Sequence, residues 1–242
     1  MKILSSFLNI IYPPRCNICG DFLHIPHENP YICETCIKGF KIINPPICSI
    51  CGIPFESDTE EDHPCERCIR KRPFYDRLRA LYLYENGIME AVHKMKYSGK
   101  SYIAKSLAPL LASFAMEWLD DIHDMLMVPV PLHPRKLRQR GFNQSLILAR
   151  GISLILNSEL DILSFRRIKF TRSQTGLNMD ERRKNVKNAF ELKDGKHYKG
   201  KSVILVDDVA TTGNTMNECA RILKKGGCEK VYGLVLARTA AY

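Results

Sequence analysis

The stretch VILVDDVATTGNT, Val203 to Thr215, decides the fold. Four apolar residues run into Asp207 and Asp208, and small hydroxylic residues follow. An apolar run without polar alternation is the mark of a strand buried on both faces, as in a parallel sheet. We therefore expect a strand over Ser202–Val206 with the two acids at its carboxyl end. Asn214–Lys225 has helical spacing and is closed by Gly226-Gly227. In sheets of this kind ligands collect beyond the carboxyl ends of the strands. Gly213 permits close backbone approach. The amides there, with the Thr211, Thr212 and Thr215 hydroxyls, converge on a helix N-terminus and suit a phosphate. Two carboxylates beside a phosphate suit the vicinal hydroxyls of a sugar, with Mg2+ nearby. A ribose 5-phosphate would satisfy both halves. A receiver-type Mg2+ pocket also uses paired acids, but its pair lies early in the domain and no Thr-Thr-Gly-x-Thr follows.

The flanking sequence alternates strand and helix. Strands are expected at 78–84, 125–130 and 231–236. Helices are expected at 88–97, 102–119 (disturbed at Pro109) and 142–156. This gives an α/β domain with a mainly parallel sheet flanked by helices.

The N-terminal third follows another rule. Cys16-x2-Cys19-Gly20 precedes Cys33-x2-Cys36, and Cys48-x2-Cys51-Gly52 precedes Cys65-x2-Cys68, the same spacing displaced by 32 residues. Each Cys-x2-Cys forms a tight knuckle whose thiolates turn inward, and the following Gly allows a positive φ. Four thiolates suit tetrahedral Zn2+, which would supply folding free energy to units with little core. One structural zinc per repeat is the simplest pairing. Cross-bracing between repeats is the alternative, as are iron–sulfur or redox thiols. His24 and His27 read as surface residues, and His63 is the best substitute ligand. Cys219 and Cys228 read as packing residues. We place the boundary after Arg70-Lys71-Arg72, with a ribbon domain in residues 1–72 and the α/β domain in 73–242.

Of the 242 residues, 45% are hydrophobic, enough for a sizeable core, and no apolar run is long enough to cross a bilayer. Residues 1–15 resemble a weak signal peptide but lack a small-residue cleavage site, so a short amphipathic helix is expected. Thiolate metal sites then imply a reducing, cytoplasmic compartment. The net charge is +10. Thirteen Lys and Arg against four Asp and Glu lie between His133 and Lys187, a local excess of nine. Such a region attracts phosphates. With Phe142, Phe165 and Phe170 interleaved, the segment 135–187 suits single-stranded DNA by charge and stacking, with core packing the alternative for these aromatics and the favoured reading for Phe142.

D-D-x-x-T-T-G-x-T after an apolar strand resembles the phosphoribosyl pyrophosphate (PRPP) loop of type I phosphoribosyltransferases. Val128-Pro-Val-Pro-Leu-His-Pro134, Arg140-Gly-Phe-Asn-Gln144, Gln174-Thr-Gly176, Glu181-Arg-Arg-Lys-Asn-Val186 and the cysteine array resemble the ComF family. The resemblance covers essentially the whole chain. It implies a zinc ribbon joined to a type I phosphoribosyltransferase fold, and a link to natural transformation, in which single-stranded DNA enters the cytoplasm. It implies that Asp207 and Asp208 meet the ribose hydroxyls of Mg2+-bound PRPP. Val209, Ala210, Thr211, Thr212, Gly213, Asn214 and Thr215 would form the 5-phosphate loop. Leu132, His133 and Arg135 fall at its pyrophosphate loop, although His133 also reads as a turn cap. Arg182 and Arg183 fall in its flexible loop, where they would neutralise pyrophosphate. The acceptor pocket would come from about 78–98. Three functions remain open: a PRPP-binding protein of DNA uptake, an active transferase in nucleotide salvage with an unidentified acceptor, and a zinc-ribbon adaptor docking a helicase.

Overall fold

The structure, a computed structural model, describes residues 12–23, 29–55, 61–171 and 179–240. The expected N-terminal helix, His24 and His27 lie outside these. The elements in chain order are α1 (Glu34–Lys38), α2 (Glu66–Arg70), β1 (Arg77–Leu83), α3 (Asn86–Tyr97), α4 (Tyr102–Met116) and β2 (Leu126–Pro129). Then come α5 (Pro134–Arg140), α6 (Gln144–Leu156), β3 (Phe165–Arg167), α7 (Met179–Val186), β4 (Phe190–Leu192), β5 (Ser202–Ala210), α8 (Asn214–Lys225) and β6 (Lys230–Arg238).

Four strands form a parallel sheet in the order β1-β6-β5-β2. Its two faces sort the side chains by strand parity. Ile204 and Val206 join the core built with α3, α4, α6 and the first ribbon unit. Val203 and Leu205 join the core built with α8, the β3–β4 hairpin and the second ribbon unit. Each ribbon unit thus covers one face of the same sheet. Cys219 and Cys228 are buried packing residues in the second core, as expected.

Two expectations are corrected. Helix α4 runs through Pro109 without a break. The proline and Lys105, whose carbonyl it leaves unbonded, are both exposed, so water can serve that carbonyl. Strand β5 does not stop at Val206. It continues to Ala210 because β6 is equally long and pairs with it through Ala210↔Arg238, whereas β2 ends opposite Val206 at Pro129. The acids therefore lie in a strand extension that is paired on one side only, where β2 has already turned away.

Candidate functional site

The acid pair is held from three directions. Asp207 Oδ1 accepts the Ser145 hydroxyl at 2.7 Å and the Asp208 N–H at 2.9 Å. Asp208 Oδ1 accepts the Val209 N–H at 2.9 Å. Asp208 Oδ2 lies 2.6 Å from Lys96 Nζ, and both side chains are largely buried. Burial, then the neighbouring Asp208 charge, pushes the Asp207 carboxyl up to about 7. Burial works to lower the Lys96 ammonium, but the Asp208 carboxylate outweighs it and holds Lys96 above its ordinary value. After the acids, Gly213 takes φ +74° as the cap of α8, and the Thr212 hydroxyl accepts the Asn214 N–H at 3.4 Å.

Asp207, Asp208, Val209, Thr211, Thr215 and Leu132 line one cavity of about 360 Å3. Among the described residues four cations line it with them: Lys96, Lys136, Arg140 and Arg167. Helix α5 divides its charges by helical spacing. Lys136 and Arg140, four apart, face the cavity, while Arg135 and Arg138 are exposed. The Arg-Gly-Phe-Asn-Gln run explains how this wall is fixed. Arg140 donates to Gln144 Oε1 at 2.6 Å. Asn143 caps α6 and donates to the Val130 carbonyl at 3.1 Å, pinning the helix to the end of β2 and setting Ser145 against Asp207. Tyr84, Met89, His93 and Tyr97 close the opposite side, within the segment expected to form an acceptor pocket. Lys96, Lys136, Arg167 and Ser145 were not singled out from sequence; only Lys136 carried a signal, lying four residues before Arg140.

Other expected residues lie elsewhere. Thr212, Gly213 and Asn214 line a second cavity of about 330 Å3, behind the loop and beside the ribbon. Ala210 is buried in the core. His133 is the turn cap: its Nδ1 accepts the Arg135 N–H at 3.2 Å. Burial and the Arg135 and Arg167 charges lower its basicity. Arg135 lies over the Phe170 ring at 5.6 Å, outside the acid cavity. Arg182 and Arg183 fall within α7, but their side chains lie outside the described residues, as does the segment 172–178. Phe165 is unavailable for nucleic-acid stacking, because it is buried against Phe190. Phe142 packs against the core, leaving Phe170 half exposed.

The eight ribbon cysteines form two clusters, Cys16/Cys19/Cys33/Cys36 and Cys48/Cys51/Cys65/Cys68, so pairing is within each repeat. Sulfur separations are 3.8 Å for Cys16–Cys36, 3.7 Å for Cys19–Cys33 and 3.9 Å for Cys51–Cys65. Zn–S bonds of about 2.3 Å in a tetrahedron place sulfurs about 3.8 Å apart, so both sets fit zinc. Backbone N–H groups of Ile18, Cys33, Cys51 and Cys65 point at the thiolates. Gly52 takes φ +66°, and a Cβ there would sit 2.4 Å from the Leu78 carbonyl oxygen, so glycine both turns the knuckle and lets it dock on β1. His63 stands apart, on the Glu61 carbonyl and the Phe55 ring.

Comparison with known proteins agrees with these two halves. Residues 7–69 match the double zinc ribbon domain, and residues 143–242 match the phosphoribosyl transferase domain. Competence protein F of Haemophilus influenzae is 32% identical over 70% of this chain and 76% of its own. The chain belongs to the ComF family. DNA utilization protein YhgH of Escherichia coli K12 is 34% identical over 70% of this chain and 75% of its own. Competence protein ComFC of Streptococcus pneumoniae is 30% identical over 66% and 67%. A double zinc ribbon on a phosphoribosyltransferase fold is therefore the architecture of this ComF-family protein. Among the described residues no helix is long and apolar enough to cross a membrane.

Proposed function

We propose that this protein binds PRPP with Mg2+ in the acid cavity and serves natural transformation, handling incoming single-stranded DNA in the cytoplasm. Residues 1–72 act as the ribbon and 73–242 as the ligand domain. One observation carries the ligand reading: two strand-end carboxylates, the Thr211 and Thr215 end of a helix N-terminus, and four cations line a single cavity. The 5-phosphate would lie on the amides of 211–215, and the ribose hydroxyls would donate to Asp207 and Asp208. Lys136, Arg140 and Arg167 suit the diphosphate. The carboxylate oxygens are the donors Mg2+ prefers, and when bound it would neutralise diphosphate charge. If a nucleophile attacks ribose C1, the residues here act by orientation and charge, with no covalent step on the protein. Equilibrium titration of PRPP with Mg2+ into the wild type and Asp207→Asn/Asp208→Asn tests the reading. Binding to the first and loss in the second are expected; equal binding would sink it.

The DNA part rests on the relatives' names and on one surface. Arg135 lies over Phe170, which is 48% exposed, and Arg138 is exposed on the same short helix. Binding to a fluorescent oligonucleotide should weaken steeply with salt, and Arg135→Glu/Arg138→Glu should abolish it. A salt-independent affinity, or one the charge reversal leaves intact, would remove this surface from the proposal.

A further inference from the structure

Arg238 is a fully buried guanidinium at the last residue of β6. Its Nη2 lies 3.8 Å from Cys51 Sγ, while its Nε and Nη1 have no hydrogen-bond partner among the described residues. A second guanidinium, Arg67, lies 3.9 Å from the same sulfur. Four thiolates around one Zn2+ carry two net negative charges, which these two arginines balance. Without that anion Arg238 would be an uncompensated buried charge, a costly arrangement.

The same arginine sits at the root of the phosphate loop. It pairs with Ala210, the last residue of β5. The next residue, Thr239, donates its N–H to the Ala210 carbonyl at 3.3 Å and its hydroxyl to the Thr211 carbonyl at 3.4 Å. Buried Tyr75, which leads out of the second ribbon, places its hydroxyl so that a Cβ on Gly213 would lie 3.3 Å away. The preceding Phe74 donates its N–H to Asn217 Oδ1, in the first turn of α8, at 2.7 Å. The first ribbon unit docks elsewhere, with Lys94 on the Ile18 carbonyl and Tyr31 stacked on Tyr102 of α4.

We propose, on the phosphate-site reading above, that the second four-cysteine centre sets the shape of the phosphate loop through Arg238 and Tyr75. They are positioning residues, and loading of that centre and occupancy of the loop are thermodynamically linked. The ribbon is then part of the ligand site as well as a docking module.

The test uses full-length, zinc-loaded protein and ribose 5-phosphate as probe. Arg238→Met should weaken its binding about tenfold, as is usual for coupled sites, and speed zinc release to a chelator from one of the two centres. By reciprocity, ribose 5-phosphate should slow release from that same centre in the wild type. Arg15→Ala, beside the first ribbon, should change none of these. Tyr75→Phe keeps both zinc ions and the packing, so its expected loss of affinity carries the test if Arg238→Met does not fold. Unchanged affinity in a folded variant overturns the link. A wild type that does not bind ribose 5-phosphate defeats the phosphate reading instead. Amide hydrogen exchange at 210–215 then decides the coupling: faster exchange in Arg238→Met or Tyr75→Phe supports it, and unchanged exchange overturns it.

Discussion

Replacing Lys96 by Met removes the one cation among the described residues that pairs directly with the acid pair and keeps most of the side chain's bulk. Lys96 Nζ and Asp208 Oδ2 are 2.6 Å apart, with side chains 19% and 5% exposed. At an effective dielectric constant of about 20 the gross attraction is about 6 kcal/mol. Desolvation of both ions offsets most of that, so the pair's net worth is small. Removing only the lysine is different, because Asp208 stays buried beside Asp207 with its direct ion-pair partner gone and only the more distant Lys136, Arg140 and Arg167 left in the cavity. That costs about 3–5 kcal/mol. The loss should depend on pH with a definite sign. The acid pair of the variant relieves itself by taking up a proton, which the unfolded chain does not bind at neutral pH. The variant should therefore lose about 3–5 kcal/mol at pH 8 and clearly less at pH 5.5. Urea unfolding followed by the fluorescence of Trp118, the single tryptophan, which lies 6.1 Å from Tyr232 on β6, reads this domain. Added Mg2+ should restore part of the loss by replacing the missing charge. A loss under about 1 kcal/mol, or one equal at both pH values, would refute the reasoning.

Three more expectations follow from the same geometry. Burial and the Asp208 charge push the Asp207 carboxyl up to about 7, so a ligand needing the carboxylate should bind more weakly as pH falls from 8 to 6 and release protons on binding; calorimetry in buffers of different ionisation enthalpy measures both. The raised value also means that this group's contribution to stability is present on the acid side and lost as pH rises through 7. Metal analysis should find two zinc ions per chain, and a chelator should strip the first centre before the second, because Cys19 is exposed whereas Cys48, Cys51 and Cys68 are buried. Gly213→Ala forces a Cβ into a φ of +74° beside the Tyr75 hydroxyl; it should cost about 1–2 kcal/mol in denaturant unfolding and abolish PRPP binding.

What sequence made legible was local. The β5–loop–α8 unit is contiguous, so its apolar run, its acids and its glycine report on one another at fixed spacing. The cysteine repeat is legible for the same reason, since metal geometry dictates knuckle spacing. The pairing of knuckles is not local, and only the structure brings Cys16 to Cys36 and Cys51 to Cys65. Lys96 was invisible because nothing in a Met-Lys-Tyr helix turn says which way the ammonium points; that depends on how α3 lies against the end of β5. Arg167 and Ser145 likewise reach the site from segments distant in sequence. His133 carried two readings from its position, a diphosphate contact and a turn cap, and the structure shows the cap, with Nδ1 accepting the Arg135 N–H. Phe165 was read as a stacking surface because the β3–β4 hairpin that buries it was not foreseen.

A crystal structure of the protein grown with PRPP and Mg2+ tests the central claim most directly. The account predicts phosphate on the amides of residues 211–215, ribose hydroxyls on Asp207 and Asp208, and the diphosphate toward Lys136, Arg140 and Arg167. Ligand bound elsewhere, or a cavity left empty at saturating PRPP with the loop intact, would contradict it.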